Sequence, residues 1–212
     1  SKLLKSCSLP LTGVRCVKKI VSNLAVMEIA QEGGFKLLER APGVSVEEIK
    51  SPETKDLLKD MWDSLEAAGG IGLAAPQIGI SKQLAIIKLS SESDRYPDME
   101  DSETYVIFNP KISVIDDNEQ GFWEGCLSIP EVREEVKRLS EITVEYFDQN
   151  FKKVVENYDG LNARVILHEY DHIEGILFVD KISPLRKRMI KSKLRDISNG
   201  NLNANYLIRN FK

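Results

Sequence analysis

The stretch RVILHEYDHIEG, residues 164–175, holds both histidines of the chain, four residues apart, with a glutamate directly after the first. An α-helix turns once in 3.6 residues, so His168 and His172 stand one above the other on a single face. Leu161, Val165, His168, Glu169 and His172 follow one another at helical spacing and form one stripe, and such a stripe normally faces a core. Burying two imidazoles and a carboxylate without a partner costs several kcal/mol of desolvation. The fold must therefore bring something to this face: protein groups that satisfy a pair of core histidines, or an ion.

The pattern H-E-x-x-H favours the ion, because two imidazoles can grip a metal while the glutamate works on the water it activates. A catalytic metal wants a third protein ligand and an open position. Zincin peptidases take that ligand downstream, but this chain has no third histidine, and Asp196 lies among basic residues on a separate predicted helix. Upstream, GFWEGCLSIPE (residues 121–131) offers Cys126. A free cysteine is often a buried structural thiol; near two helical histidines it is equally a candidate thiolate, its pKa lowered by the metal. Were the third ligand some other group, a metallopeptidase acting on internal peptide bonds would be the competing reading.

A third stretch, GGIGLAAPQIG (residues 69–79), combines glycines that let backbone approach a substrate with Gln77, whose amide can donate to a developing oxyanion. By itself it is also an ordinary Gly-rich turn between helix and strand. The turn follows a predicted helix that starts with Ser51 as N-cap and Pro52 at the first helical position, carries Leu57, Leu58, Met61 and Leu65 inward, and stops at Gly69 and Gly70. Runs rich in β-branched and aromatic residues at 84–89, 104–108, 111–115 and 141–147 read as strands, mostly antiparallel by their short connections. A second helix is expected from Asp159 to Gly175 and a third from Ser183 to Ile197. Helices outside a run of strands make an α+β domain.

At 212 residues the chain can bury one sizeable core. A net charge of −4 and a pI near 5.4 argue against a protein that coats nucleic acid, and no DNA partner is expected. No stretch approaches the roughly 20 apolar residues of a membrane span, so no membrane partner is expected either. The odd set Cys7, Cys16 and Cys126 suits a reducing compartment, and the cytoplasm is the expected location. Residues 1–26 read as a poorly ordered extension. The first 19 carry five Lys or Arg and no acid occurs before Glu28, so an organelle-targeting remnant stays open. A single domain is expected over 27–200, followed by a tail at 201–212. The acidic stretch 90–104 reads as a long surface loop.

Taken together and in order, G-x-G-L-A-A-x-Q at Gly70–Gln77, E-G-C-L-S at Glu124–Ser128 and H-E-x-D-H at His168–His172 resemble peptide deformylase. The likeness starts near Met27 and continues through LFVDKISPL at 177–185. It departs from the commoner pattern at Leu167 and Ile173, beside the ligand set. The resemblance implies an α+β fold in which antiparallel sheets pack around a central metal-binding helix, with a C-terminal helix. It also implies an activity that removes the formyl group from N-formylmethionyl nascent peptides and releases formate.

Carried over residue by residue, the resemblance makes Cys126, His168 and His172 ligands of one divalent metal per chain, Fe(II) in the cell, with zinc, nickel or cobalt able to occupy the site. Glu169 becomes the general acid/base, and Gln77 and the backbone N–H of Leu127 hold the oxyanion. Ile71, Phe122, Glu124, Gly125, Leu161, Arg164 and Val165 fall around the methionine pocket. Close backbone at Gly70, Ile71 and Gly72 would leave room for a hydrogen on the formyl carbon and little for a methyl. Asp171 is either an exposed acid or a group behind the ligands, paired with a base such as Arg138. The third helix carries Arg186, Lys187, Arg188, Lys191, Lys193 and Arg195 against Asp196, which is either a solvated face or a contact to ribosomal RNA.

Overall fold

The computed structural model describes residues 18–21, 24–27, 29–30, 37–89 and 103–209. Most of the expected loop at 90–104, most of the expected extension at 1–26, Cys7, Cys16 and the last residues of the tail lie outside them. Two short strands, β1 (Lys18–Val21) and β2 (Leu24–Met27), form an antiparallel ribbon, and β3 (Ile29–Ala30) follows. So part of the segment expected as an extension runs into the folded body.

Local signals explain the first helices. Ser45 and Glu48 close a reciprocal capping box around the single turn α1 (Val46–Ile49). The hydroxyl of Ser51 accepts from the Thr54 N–H at 3.1 Å at the start of α2 (Pro52–Ala68), and Gly69 ends that helix in the left-handed conformation at φ 61°. Both ends of α2 fall where the sequence places them.

The main sheet is antiparallel throughout and runs β4 (Gly72–Ala74), β5 (Leu84–Leu89), β6 (Glu103–Cys126), β7 (Ile129–Phe147) and β8 (Lys153–Asp159), each beside the next. Between β4 and β5 lies a 3₁₀ turn, Ala75–Ile78. β5 is the apolar run LAIIKL because both of its faces are covered. Leu84 and Ile86 join Leu57, Met61, Leu65 and Phe108 on the α2 side. Ile87 and Leu89 join Ile107, Ile142, Val144, Val165 and Ile166 on the other.

The two expected strands at 104–108 and 111–115 are one continuous strand, β6, and the strand expected at 141–147 is the end of β7. Asn109 and Pro110 read as a break, yet they only shift the register between Phe108 and Lys111. Asn109 takes φ 51° there; its backbone N–H donates to the Gln83 carbonyl at 3.0 Å, and its side-chain amide exchanges two 2.8 Å hydrogen bonds with the backbone of Val44. The first half of β7 was hidden for a different reason. Its buried face alternates Val132, Glu134, Val136 and Arg138, so two of its inward side chains are charged.

α3 (Gly160–Glu174) starts where β8 ends, with Asp159 as N-cap, and stops at Gly175, φ 77°. A Cβ at Gly175 would stand 2.8 Å from the backbone of Leu38, so glycine is required there for space as well as conformation. α3 packs on β4, β5, β7 and β8, on the face of the sheet opposite α2. α4 (Pro184–Ser198), capped by Ser183, buries only Leu194 and Ile197. β9 (Ile208–Arg209) then returns to pair in parallel with β3, so the expected tail also contacts the body. The α+β class expected from the sequence is the class observed.

Candidate active site

Cys126 is the last residue of β6. It pairs with Ile129 across a two-residue turn of Leu127 and Ser128, and the Ser128 N–H points back at the Cys126 sulfur at 3.4 Å. The thiol is buried and free. α3 brings the two imidazoles to the same place, one turn apart, with ring centroids 5.1 Å from each other. Sγ of Cys126 lies 3.2 Å from Nε2 of His172, and one ligand atom from each of Cys126, His168 and His172 falls within 4.8 Å of the others. One sulfur and two nitrogens at this spacing fit a single divalent metal.

Charges behind the imidazoles fix their orientation. Nδ1 of His168 lies 3.0 Å from Glu124 Oε2, so its other nitrogen, with its lone pair, is the one left for a metal. Arg138 donates to Glu124 at 2.6 and 2.9 Å and to Asp171 at 2.7 Å, and Arg164 donates to Glu124 at 2.7 Å. Lys181 meets the other Asp171 oxygen at 3.0 Å. The pairing of Asp171 with Arg138 is thus observed. Burial alone would raise the Glu124 carboxyl; the His168 and Arg138 hydrogen bonds overcome it and hold that group well below the usual range.

The imidazoles themselves part company. Burial opposes charge on His168, but the Cys126 thiol and Glu124 raise it to about 10. Burial and the neighbouring His168 charge push His172 well below its ordinary value.

Glu169 is handled differently from Glu124. Burial pushes its carboxyl up to about 7, and its Oε2 has no hydrogen-bond partner among the described residues. A buried acid that titrates near neutrality with a free oxygen is suited to exchange a proton with a substrate. Gly72 makes the space for it, since a Cβ there would overlap the carboxylate and stand 2.8 Å from its Cδ. Gly70 likewise leaves room for the Leu127 and Leu65 side chains, each 2.8 Å from a Cβ built on it. The compactness of this strand therefore serves the protein's own side chains first.

Gln77, on the 3₁₀ turn, accepts the Ala74 N–H at 2.8 Å through Oε1. That bond fixes the amide so that Nε2 faces Ser128 Oγ at 3.2 Å and Cys126 Sγ at 3.6 Å.

A cavity of about 40 Å³ opens beside His168, lined by Ile71, Glu124, Gly125, Arg133, Arg164 and Val165. Two residues expected there do not line it. Phe122 lies under the Arg164 guanidinium, 5.5 Å from its ring centre, and Leu161 packs into the core on the α3 face. Arg133 was not expected, although it is the outward member of the alternation that buries Val132 and Glu134. A larger cleft of about 830 Å³ shares Ile71 with it but contains none of Cys126, His168 and His172, so volume does not mark the chemistry here.

A sulfur and two imidazoles at metal-binding spacing, with a buried carboxyl raised to about 7 on the same helix as the imidazoles, fit a metal-dependent hydrolase on an α+β frame. Comparison narrows the class. The profile of the Polypeptide deformylase family matches residues 26–188. A peptide deformylase of Christiangramia forsetii is 48% identical over 165 residues, 74% of this chain and 84% of that one. A Met-Ala-Ser-bound class I type b peptide deformylase from Acinetobacter baumannii superposes with a TM-score of 0.71 at 34% identity, over 74% of this chain and 99% of that one. The peptide deformylase of Plasmodium falciparum gives a TM-score of 0.72 at 28% identity, over 82% and 96%.

The chain belongs to the polypeptide deformylase family. Its activity is the metal-dependent removal of the formyl group from the N-terminal formylmethionine of new polypeptides. Among the described residues, no helix is long and apolar enough to cross a membrane.

Proposed function

We propose that Cys126, His168 and His172 hold the metal, that Glu169 is the general acid/base, and that Gln77 Nε2 and the Leu127 N–H receive the oxyanion. The convergence of the three ligand atoms, with Glu169 on the same helix as the two histidines and its Oε2 without a hydrogen-bond partner among the described residues, supports this reading. When bound, the metal supplies Lewis-acid activation of water and of the formyl oxygen. Glu169 takes a proton from the attacking water and delivers it to the methionine nitrogen as the C–N bond breaks, so formate and a free amine leave. Burial raises the Glu169 carboxyl, which favours the protonated form that the second of these transfers needs. Gln77, already oriented by Ala74, donates to charge that develops on the former carbonyl oxygen.

The small cavity takes the methionine side chain, with Ile71 and Val165 as its apolar walls and Gly125 on the hairpin side. The A. baumannii relative binds Met-Ala-Ser, a peptide of the class this reading requires. Formate release from a formyl-Met peptide by anaerobically purified protein is the expected result. Cys126→Ala should lose metal and activity together, and a variant that kept both would remove Cys126 from the ligand set.

Fe(II) is the metal we assign in the cell, with zinc, nickel or cobalt as substitutes, since one thiolate and two imidazoles suit them all. Activity lost in air faster than from a nickel or zinc form would support iron. We also assign α4 a contact with ribosomal RNA. Arg186 clamps Glu134 at 2.7 and 3.0 Å, Lys187 pairs with Asp180, and Lys193 meets Glu131 at 3.6 Å. Arg188, Lys191 and Arg195 stand exposed at helical spacing and form the remaining basic stripe. The cytoplasm is the location we adopt, and recovery of the full chain in an organelle fraction would overturn it.

A further inference from the structure

The turn that carries Cys126 is held by the far end of the chain. Tyr206 donates its hydroxyl proton to the Leu127 carbonyl at 2.8 Å, across 79 positions of sequence. Its ring packs against the core cluster that contains Leu65, Leu73 and Leu127. The segment that follows is fixed in its turn: the Ile29 N–H donates to the Leu207 carbonyl at 3.0 Å, and Ile208 pairs with Ile29. β3 also lies against the 3₁₀ turn that carries Gln77. The C-terminal segment is thus tied to both sides of the proposed oxyanion site.

The peptide unit whose oxygen Tyr206 holds presents its other end to the thiol, because the Ser128 N–H is the group 3.4 Å from Cys126 Sγ. A carbonyl that accepts a hydrogen bond makes the N–H of the same amide a stronger donor, since the bonds in such a chain polarise one another. Donors to a ligating sulfur draw charge from it and tune the metal it binds.

We propose that Tyr206 is a positioning residue for the metal centre. Through the Leu127–Ser128 peptide it sets the hydrogen bond that Cys126 Sγ receives, and it holds the turn so that the Leu127 N–H faces the formyl oxygen. This rests on the reading of Cys126 as a ligand and of the Leu127 N–H as an oxyanion donor.

The variant Tyr206→Phe keeps the ring in the core and removes the hydroxyl that donates to the Leu127 carbonyl. In protein loaded with Co(II), the thiolate-to-metal charge-transfer band reports the charge on sulfur, and it should shift in this variant. With a formyl-Met peptide, kcat should fall roughly two- to tenfold, the effect of one hydrogen bond, while KM stays the same. Absence of either change overturns the proposal, and a lowered Tm with neither marks Tyr206 as structural only. Cys126→Ala separates the two levels. If the Co(II) band persists in that variant, the ligand assignment falls and takes the proposal with it; if the band vanishes there but is unmoved in Tyr206→Phe, the proposal alone falls.

Discussion

α3 and α4 are both 15 residues long and both rich in charge, yet they spend that charge in opposite ways. α3 buries Arg164, Glu169, Asp171 and His172, each held in a fixed environment against the sheet. α4 buries two aliphatic residues and leaves its bases outside. Charge placed inside costs desolvation unless every group finds a counterpart, so an interior set has to be built as a whole. Exposed charge is cheap and can be changed one residue at a time. The contrast teaches that α3 is specified by chemistry and α4 by what it meets, and substitutions on the two helices should differ accordingly.

The largest effect is expected at Glu169. Glu169→Gln keeps the size of the side chain that Gly72 accommodates and removes its ability to exchange a proton. Turnover should fall roughly a hundredfold to ten-thousandfold, the usual contribution of general acid/base catalysis, with metal content unchanged. Turnover that survives intact would show that α3 buries this acid for packing alone.

Next comes Arg138, 3% exposed, which joins Glu124 to Asp171 beneath the imidazoles. Arg138→Ala leaves two buried carboxylates short of their main counter-charge. Breaking a buried pair in this way typically costs about 3–5 kcal/mol, measurable as a drop in the urea midpoint of the metal-free protein. A drop no larger than that of a surface substitution would mean that the network relaxes and that the contrast between the helices is overdrawn.

How far this contrast could be read in the sequence depends on the range of the interaction. The limits of α2 and α3 are local, set by Ser51, Pro52 and Gly69 and by Asp159 and Gly175, and they were legible to the residue. The metal-capable group was legible because a helix fixes the spacing of His168 and His172, and the motif around Cys126 resembles a known pattern. The β6–β7 hairpin was not. Its inner face carries Glu134 and Arg138 where alternation alone would call for apolar residues, and these charges make sense only once Arg186 and Glu124 are in place. Tyr206 was invisible for the same reason: its partner is a backbone carbonyl far away in sequence, and no periodicity points to it.

A smaller effect separates the buried groups by pH. His168 sits at about 10 in the metal-free fold against an ordinary 6.5, so its contribution is fully present below 6.5 and is lost as pH rises through 10. Glu169, raised to about 7 from 4.5, also favours the fold less as pH rises, over the window from 4.5 to 7. His172 is depressed and works the other way, costing stability as pH falls below 6.5. The last two oppose each other in acid, whereas His168 acts unopposed by them above 7. The urea midpoint of chelated protein should therefore fall between pH 7 and 10, and His168→Gln should flatten that limb. A limb that survives the substitution would assign it to some other group.

The smallest effect on the molecule itself is expected from α4. Neutralising Arg188, Lys191 and Arg195 together removes charges that touch none of the buried network, so the urea midpoint and the turnover of a short formyl-Met peptide should stay where they are. What should change is association with ribosomes. Every phosphate that goes unneutralised makes the slope of log affinity against log salt shallower by about one, and binding should weaken most at low ionic strength. Neutralising Arg186 instead should disturb the fold as well, because its guanidinium is committed to the buried carboxylate of Glu134. If the triple variant bound ribosomes as well as the parent at every salt concentration, the exposed stripe would be solvated surface and nothing more. The difference between the helices would then reduce to one that has a site and one that does not.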